Sequence, residues 1–279
     1  DRFPRLSEFR RQWSGHPGVD ARFDPMTRVL YSTDASNHQV APLGVCFPHD
    51  DDQLQSILAS AARLDLPIVP RGAGTSLAGQ AIGEGLILEC ARHMRRVIAL
   101  SPDERWIRAE AGVSLDRLNA AAAPYGLMVG PDPASSDRAT LGGMLGNNAS
   151  GAHAVRYGMT ADHVLSMDVF LADGTPLTLE AKSDDQARRL AAGDGREAAL
   201  YRDALRIRET YAEDVRRDWV RVWRRASGYG LNYLTGFSPS RPGGWYDDSL
   251  PYMASEGMNL APLVCGSEVT LAIVHRATL

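Results

Sequence analysis

The sequence predicts an α+β fold in which two α/β subdomains meet at a ligand-binding crevice. Three observations predict it. Between residues 42 and 95 a strand–helix–strand pattern leads into a glycine-rich loop. From residue 96 to 279 several short strand candidates alternate with helical stretches. Two segments rich in Gly, Asn, Ser and Thr, one in each half, carry the residue types that hold a large ligand.

Residues 5–14 read as a short helix with Leu6, Phe9 and Trp13 on one face. Residues 15–41, rich in Gly, Pro, Asp and Asn, read as a polar connection, so 1–41 is an N-terminal helix and arm. Gly44–Phe47 is a buried-strand candidate. Asp50, Asp51 and Asp52 favour a helix start, since carboxylates suit helix N-termini. Leu54, Ile57, Leu58, Ala61, Ala62 and Leu64 give that helix its apolar stripe. Pro67–Pro70 and Gly85–Leu88 are the next strands.

In the second subdomain, Val97–Leu100, Trp106–Glu110, Val164–Leu171 and Leu177–Leu179 are strand candidates, and Asp173-Gly174 signals a hairpin between the last two. Ser114 precedes an apolar helical pattern and is expected to cap it. Residues 184–226 read as amphipathic, arginine-rich helices, with Leu200, Leu205, Ile207, Val215, Trp219, Val222 and Trp223 as the apolar set. The charge run there reads as a solvated face. Residues 236–261 form a long loop. Gly266 to Val274 is a short polar loop running into a strand.

Composition excludes several classes. The 279 residues carry a net charge of -4, which predicts no broad attraction to nucleic acid or anionic membrane. Lys182 is the only lysine among 30 basic residues, a bias spread along the whole chain. Cys46, Cys90 and Cys265 are far apart and form no C-x-x-C, which argues against a disulfide scaffold, a zinc site or an iron–sulfur cluster within the chain. No metal site is expected: His153 and His163 lack a third ligand. A reducing, cytoplasmic setting is expected, with a place peripheral to the inner membrane as the alternative, and no run reaches the roughly 18 apolar residues of a membrane span. The chain lacks an initiator Met and stops after a strand-like run, so it is expected to be a piece of a longer polypeptide.

Two segments carry the chemistry. In Pro70-Arg71-Gly72-Ala73-Gly74-Thr75-Ser76-Leu77-Ala78-Gly79-Gln80 a strand ends in a loop of glycines and hydroxyls. Successive backbone N–H groups in such a loop make an anion-binding concavity suited to a pyrophosphate. The spacing fails a dinucleotide fingerprint, because Leu77 stands where the third glycine belongs, and a Gly-Lys-Ser/Thr is absent. The second segment runs from Gly130 to Gly151. Its small residues let backbone lie flat against a planar ligand, and Asn147-Asn148 are poor core residues unless they bond to something.

Tyr31 to Ser36, Pro70 to Gln80, Gly130 to Pro133, Leu141 to Gly151, Ser227-Gly228-Tyr229 and Gly266 to Leu271, in this order, resemble the FAD-binding domain of the vanillyl-alcohol oxidase / p-cresol methylhydroxylase (PCMH-type) flavoproteins. The resemblance is closer to the bacterial FAD-linked D-lactate, glycolate and D-2-hydroxyglutarate dehydrogenases, some of them fused to an iron–sulfur module. It implies a PCMH-type fold with FAD between the two subdomains. Arg71, Gly72, Ala73, Gly74, Thr75, Ser76 and Leu77 would hold the FAD pyrophosphate. Pro131, Asp132, Thr140, Gly142, Gly143, Asn147, Ser150 and Gly151 would line the dinucleotide and flavin ring, and Tyr157 and Gly158 would continue that wall. Glu268 would close over the cofactor. His153 is the nearest histidine for a ring contact. Some members link flavin to a His where Thr75 stands here, so non-covalent FAD is expected. Val269 stands where the family has Gly, so the Glu268 loop is expected to sit differently.

The implied partners are a small 2-hydroxy acid and an electron acceptor such as an iron–sulfur module. The family's substrate cap domain is absent from this sequence, so no catalytic residue is assigned. The rival readings are a flavin-binding accessory subunit, a sugar-lactone or alcohol oxidase or cell-wall reductase on the same fold, and a phosphate-binding α/β protein using only the first loop.

Overall fold

The computed structural model describes residues 2–16, 18–220, 222, 224–225, 228–235 and 257–279. Two sheets organise it. The first has the order β1-β2-β4-β3 and the second β5-β6-β9-β7-β8, built as follows.

Helix α1 (Leu6–Trp13) places Phe9 and Trp13, four residues apart, on one buried face. The expected featureless arm then holds two elements. Strand β1 (Asp20–Arg22) pairs antiparallel with β2 (Gly44–Phe47). Helix α2 (Pro25–Leu30) starts because Asp24 accepts a hydrogen bond from the Thr27 N–H and Pro25 presets the first turn. Helix α3 (Asp51–Arg63) starts as expected: the Asp50 carboxylate accepts from the Gln53 N–H, and Leu54, Ile57, Leu58 and Ala61 are buried. Strands β3 (Ile68–Arg71) and β4 (Leu86–Glu89) run parallel to each other, and β4 parallel to β2.

The second sheet is antiparallel throughout: β5 (Val97–Ser101), β6 (Trp106–Glu110), β7 (Ser166–Phe170), β8 (Pro176–Glu180) and β9 (Ile273–Thr278). Gly174, with φ of +84°, turns the β7–β8 hairpin. Helices α4 (Leu115–Ala122), α5 (Leu141–Asn147) and the single turn α6 (Ala154–Tyr157) lie between β6 and β7 in sequence. Ser114 stands at the N-cap of α4, but its side chain makes no cap bond; its backbone forms a β-bridge with Thr140 instead.

The arginine-rich stretch divides into α7 (Asp184–Ala191) and α8 (Gly195–Asp218), broken at Gly193-Asp194. A capping box of Ser183 and Gln186 starts α7. Ala198, Tyr201, Ala204, Leu205 and Val215 are the buried face of α8, whereas Leu200 is exposed. The helix ends before Val222, which is also exposed. Trp223, Ser227 and residues 236–256 of the long loop lie outside the described residues. Two single turns, α9 (Asn232–Thr235) and α10 (Ala261–Val264), precede β9. Among the described residues no helix is long and apolar enough to cross a membrane.

Each sheet has its own core. Phe170 of β7 and Ile273 of β9 leave the second and pack with Phe9, Leu54, Ile57 and Leu88 of the first, which fastens the two lobes together. A polar joint backs that contact. The Asp51 carboxylate at the start of α3 lies 2.9 Å from Nδ1 of the buried His275 and pairs with Arg276, both on β9. Burial holds the His275 pKa below its usual value, against the opposing pull of Asp51.

Candidate functional site

A cleft of about 450 Å³ opens between the lobes. It lies at the carboxyl ends of the parallel strands β3 and β4, where open α/β sheets place their ligands. Residues 70–78 form one wall and residues 139–150 the other, while Ser267 to Val269 lie along the rim.

The first wall is braced from below. The Arg71 guanidinium donates to the carbonyls of Tyr31 and Ala81 and stacks over the Tyr31 ring, 5.1 Å from its centroid. Burial lowers its pKa, with Tyr31, Asp34 and Glu89 opposing. The charge therefore sits beneath the loop. Gly74, with φ of +70°, passes directly over it, and a Cβ there would lie 2.5 Å from the guanidinium. The stretch from Tyr31 to Ser36 is the loop's scaffold: the Ala35 N–H donates to the Gly74 carbonyl, and Asp34 accepts from the N–H groups of Ser36 and Ala81. With Arg71 bound from beneath, the Thr75 and Ser76 hydroxyls and the loop backbone face the cleft.

The second wall begins at Thr140, which caps α5 by accepting from the Gly143 N–H at 3.3 Å. A Cβ at Gly72 would lie 2.2 Å from the Thr140 hydroxyl, so the two walls meet at this point only because residue 72 is glycine. At the far end of α5, Asn148 adopts φ of +47° and its amide is spent on the protein: the oxygen accepts from the Ala161 N–H and the nitrogen reaches the Arg225 carbonyl. Asn147, Ser150 and the small residues between stay on the cleft.

Across the rim, the Gln80 amide donates to the Glu268 carboxylate at 3.2 Å, joining the two lobes over the cleft. Glu268 and Val269 have φ of +49° and +68°. Val269, a β-branched residue, is thus held in a left-handed conformation it seldom adopts.

Of the residues expected at the site, Arg71 to Leu77, Thr140, Gly142, Gly143, Asn147, Ser150 and Glu268 line the cleft. Pro131, Asp132, Gly151, Tyr157 and Gly158 are not among its lining residues and sit beside its second wall. The reason is internal packing. A Cβ on Gly151 would fall 1.8 Å from the Asp132 carbonyl oxygen, and Gly158 packs against the Asp162 carboxylate. His153 sits with them, its Nδ1 3.6 Å from Asp132 and its ring edge-on to Tyr157. The sequence reading missed Cys90, Gly112 and Arg224, which also line the cleft, as does Ser267 beside Glu268. Gly112 carried a local signal, since a glycine directly after a strand allows the close approach seen here: its Cβ would meet the carbonyls of Cys90 and Met94 at 2.5 Å.

Residues 42–180 match the model of the FAD binding domain family. The chain belongs to this family. A D-2-hydroxyglutarate dehydrogenase of Pseudomonas putida is 33% identical over 278 residues, which is 99% of this chain and 25% of that protein. Glycolate oxidase subunit GlcD of Escherichia coli is 34% identical over 172 residues, 61% of this chain and 34% of that protein. A D-lactate dehydrogenase of Archaeoglobus fulgidus is 33% identical over 170 residues, 60% and 37%. The chain thus spans a quarter to about a third of the length of these relatives. Among solved structures, an alkyldihydroxyacetonephosphate synthase superposes with a TM-score of 0.61 at 18% identity, over 98% of this chain and 39% of that one, which supports the fold.

The cleft suits FAD on its own evidence. The FAD binding domain needs a deep, narrow slot that accepts backbone contact, and here glycines close the slot where any Cβ would block it. It also needs polar atoms reserved for the ligand. The Ser267 hydroxyl is one: the residue is 3% exposed, lines the cleft and has no hydrogen-bond partner among the described residues. Such an orphaned buried group signals a missing partner.

Proposed function

We propose that the chain is the cofactor-bearing part of a flavin-dependent oxidoreductase acting on a 2-hydroxy acid. The observation that carries this reading is the pairing of two backbone-lined walls across one cleft, with the Ser267 hydroxyl buried and unpartnered inside it. The relatives support the substrate class, since 2-hydroxyglutarate, glycolate and lactate share one functional group.

The chain's residues would work as follows. The backbone N–H groups of Gly72 to Leu77 and the Thr75 and Ser76 hydroxyls bind the pyrophosphate, and Arg71 beneath the loop adds positive potential and fixes its shape. Gly142, Gly143, Asn147 and Ser150 lie along the dinucleotide, and Ser267 donates to one of its oxygens. The Gln80–Glu268 bond holds the two lobes together at the rim. When bound, FAD supplies the hydride-accepting centre of the reaction. Thr75 offers no imidazole for a covalent link, so the cofactor is held non-covalently. The acid's hydroxyl proton would go to a base outside this chain, and the electrons would leave to an acceptor such as an iron–sulfur module.

The test is a visible spectrum of the chain mixed with FAD and desalted. Retained flavin bands that are released on denaturation support a non-covalent site; a flavin-free eluate refutes it. Substrate class is tested by reduction of the bound flavin with D-2-hydroxyglutarate, D-lactate and glycolate in the longer protein.

A further inference from the structure

The cleft is lined by two guanidinium groups among the described residues, and they differ in kind. The Arg71 guanidinium is engaged with two carbonyls beneath the loop. Arg224 is exposed on the cleft, and among the described residues none forms a hydrogen bond or ion pair with its side chain. Its neighbour has the opposite fate: Arg225 stacks over Trp219, 4.1 Å from the ring centroid, and donates to the Tyr229 carbonyl.

The backbone that follows Arg224 is tied at two points. The Arg225 carbonyl accepts from Asn148 at the end of α5, and the Tyr229 hydroxyl lies 2.9 Å from the Thr270 hydroxyl, beside the Glu268 loop. Arg224 therefore belongs to the Asn148 end of α5, whereas the phosphate-type loop touches the Thr140 end through Gly72. The seven residues of α5 separate those ends by about 10 Å at 1.5 Å per residue.

We propose that Arg224 is an anion-binding residue of this cleft, and that its anion is the carboxylate of the organic acid bound beside the cofactor. This rests on the proposed function. A pyrophosphate cradled by residues 71–77 would lie toward the Thr140 end of α5, the end away from Arg224. A planar guanidinium fork matches a carboxylate through two parallel hydrogen bonds. Glu268 is the one acid in the lining among the described residues, and its carboxylate accepts from the Gln80 amide, not from Arg224.

The experiment uses the FAD-saturated chain and 2-oxoglutarate, an acid with no hydrogen to transfer at C2. Its dissociation constant is read from the shift of the flavin absorbance bands. Arg224→Gln is expected to raise that constant by about tenfold or more, equivalent to about 1.4 kcal/mol. Arg224→Lys should recover part of the loss, the dimethyl ester should not discriminate between wild type and Arg224→Gln, and the FAD dissociation constant should stay the same. An unchanged 2-oxoglutarate constant in Arg224→Gln overturns the proposal, as does wild-type protein that binds FAD but no acid. Weakened FAD binding with normal acid binding also overturns it, and assigns Arg224 to a cofactor phosphate. A wild-type chain that binds no FAD defeats the underlying reading itself, which is a separate result.

Discussion

Replacing Ser267 by alanine should move stability and cofactor affinity in opposite directions. The hydroxyl is buried, 3% of the residue being exposed, and it has no partner among the described residues. A buried polar group left unpaired costs about 1–3 kcal/mol. Removing its oxygen leaves a space smaller than a methyl group, so most of that cost is recovered. At roughly 2 °C per kcal/mol for a chain of this size, the melting temperature of the cofactor-free Ser267→Ala variant should rise by about 2–4 °C. With FAD bound the hydroxyl has its partner, and the variant forgoes a hydrogen bond worth about 0.5–1.5 kcal/mol, or about two- to twelvefold in affinity. The assay is calorimetric melting with and without saturating FAD, beside a titration of FAD fluorescence. The stabilisation that FAD confers should shrink in the variant while the cofactor-free baseline rises. A cofactor-free variant that melts lower than wild type and binds FAD equally well would refute the reasoning, because Ser267 would then be an ordinary packed residue.

Other outcomes follow from the same structure. Gly72→Ala should displace the Thr140 hydroxyl from its cap of α5, costing about 0.5–2 kcal/mol, and should abolish FAD retention; chemical denaturation and desalting read the two effects. Burial lowers the pKa of His93, His163 and His275, so the folded state binds fewer protons than the unfolded chain. Stability is therefore complete above the unfolded histidine value of about 6.5 and falls as pH drops through it; melting curves between pH 8 and 5 should show this, with a shallower fall in His275→Gln. Burial raises the Cys46 and Cys90 thiols to about 12 and pushes Cys265 up as well, so none should react with iodoacetamide at pH 8 until the protein is unfolded.

The sequence made some parts of this molecule legible and hid others for physical reasons. Helix α3 was readable because an acidic start, a capping Asp50 and an apolar stripe coincide. The two walls were readable because glycines beside hydroxyls report a backbone brought close to something. The elements in the N-terminal arm were not, since a three-residue strand and a six-residue helix span too few turns to show a period. The division between the cleft lining and the residues beside it was hidden as well. Gly151 and Gly143 look alike in sequence, but only a folded chain shows that one meets Asp132 and the other faces the cleft. Ser267 and Arg224 carry no special pattern. What marks them is the absence of a side-chain partner among the described residues, a property of three-dimensional surroundings.

The position of β9 sets an order on how the molecule comes into being. It lies in the middle of the second sheet, between β6 and β7, yet follows every other described strand in the chain. Arg108 meets Thr278, 170 positions later. A chain emerging from the ribosome can complete the first sheet early, while β6 and β7 wait with open edges for a strand not yet made. Closing so long a loop is slow, and open edges invite pairing with other chains. Because Ile273 and Val274 also line the cleft, its rear wall forms only once β9 has joined the sheet. A chain cut before residue 273 would lack that wall and also the Ile273 side chain that completes the core of the first lobe.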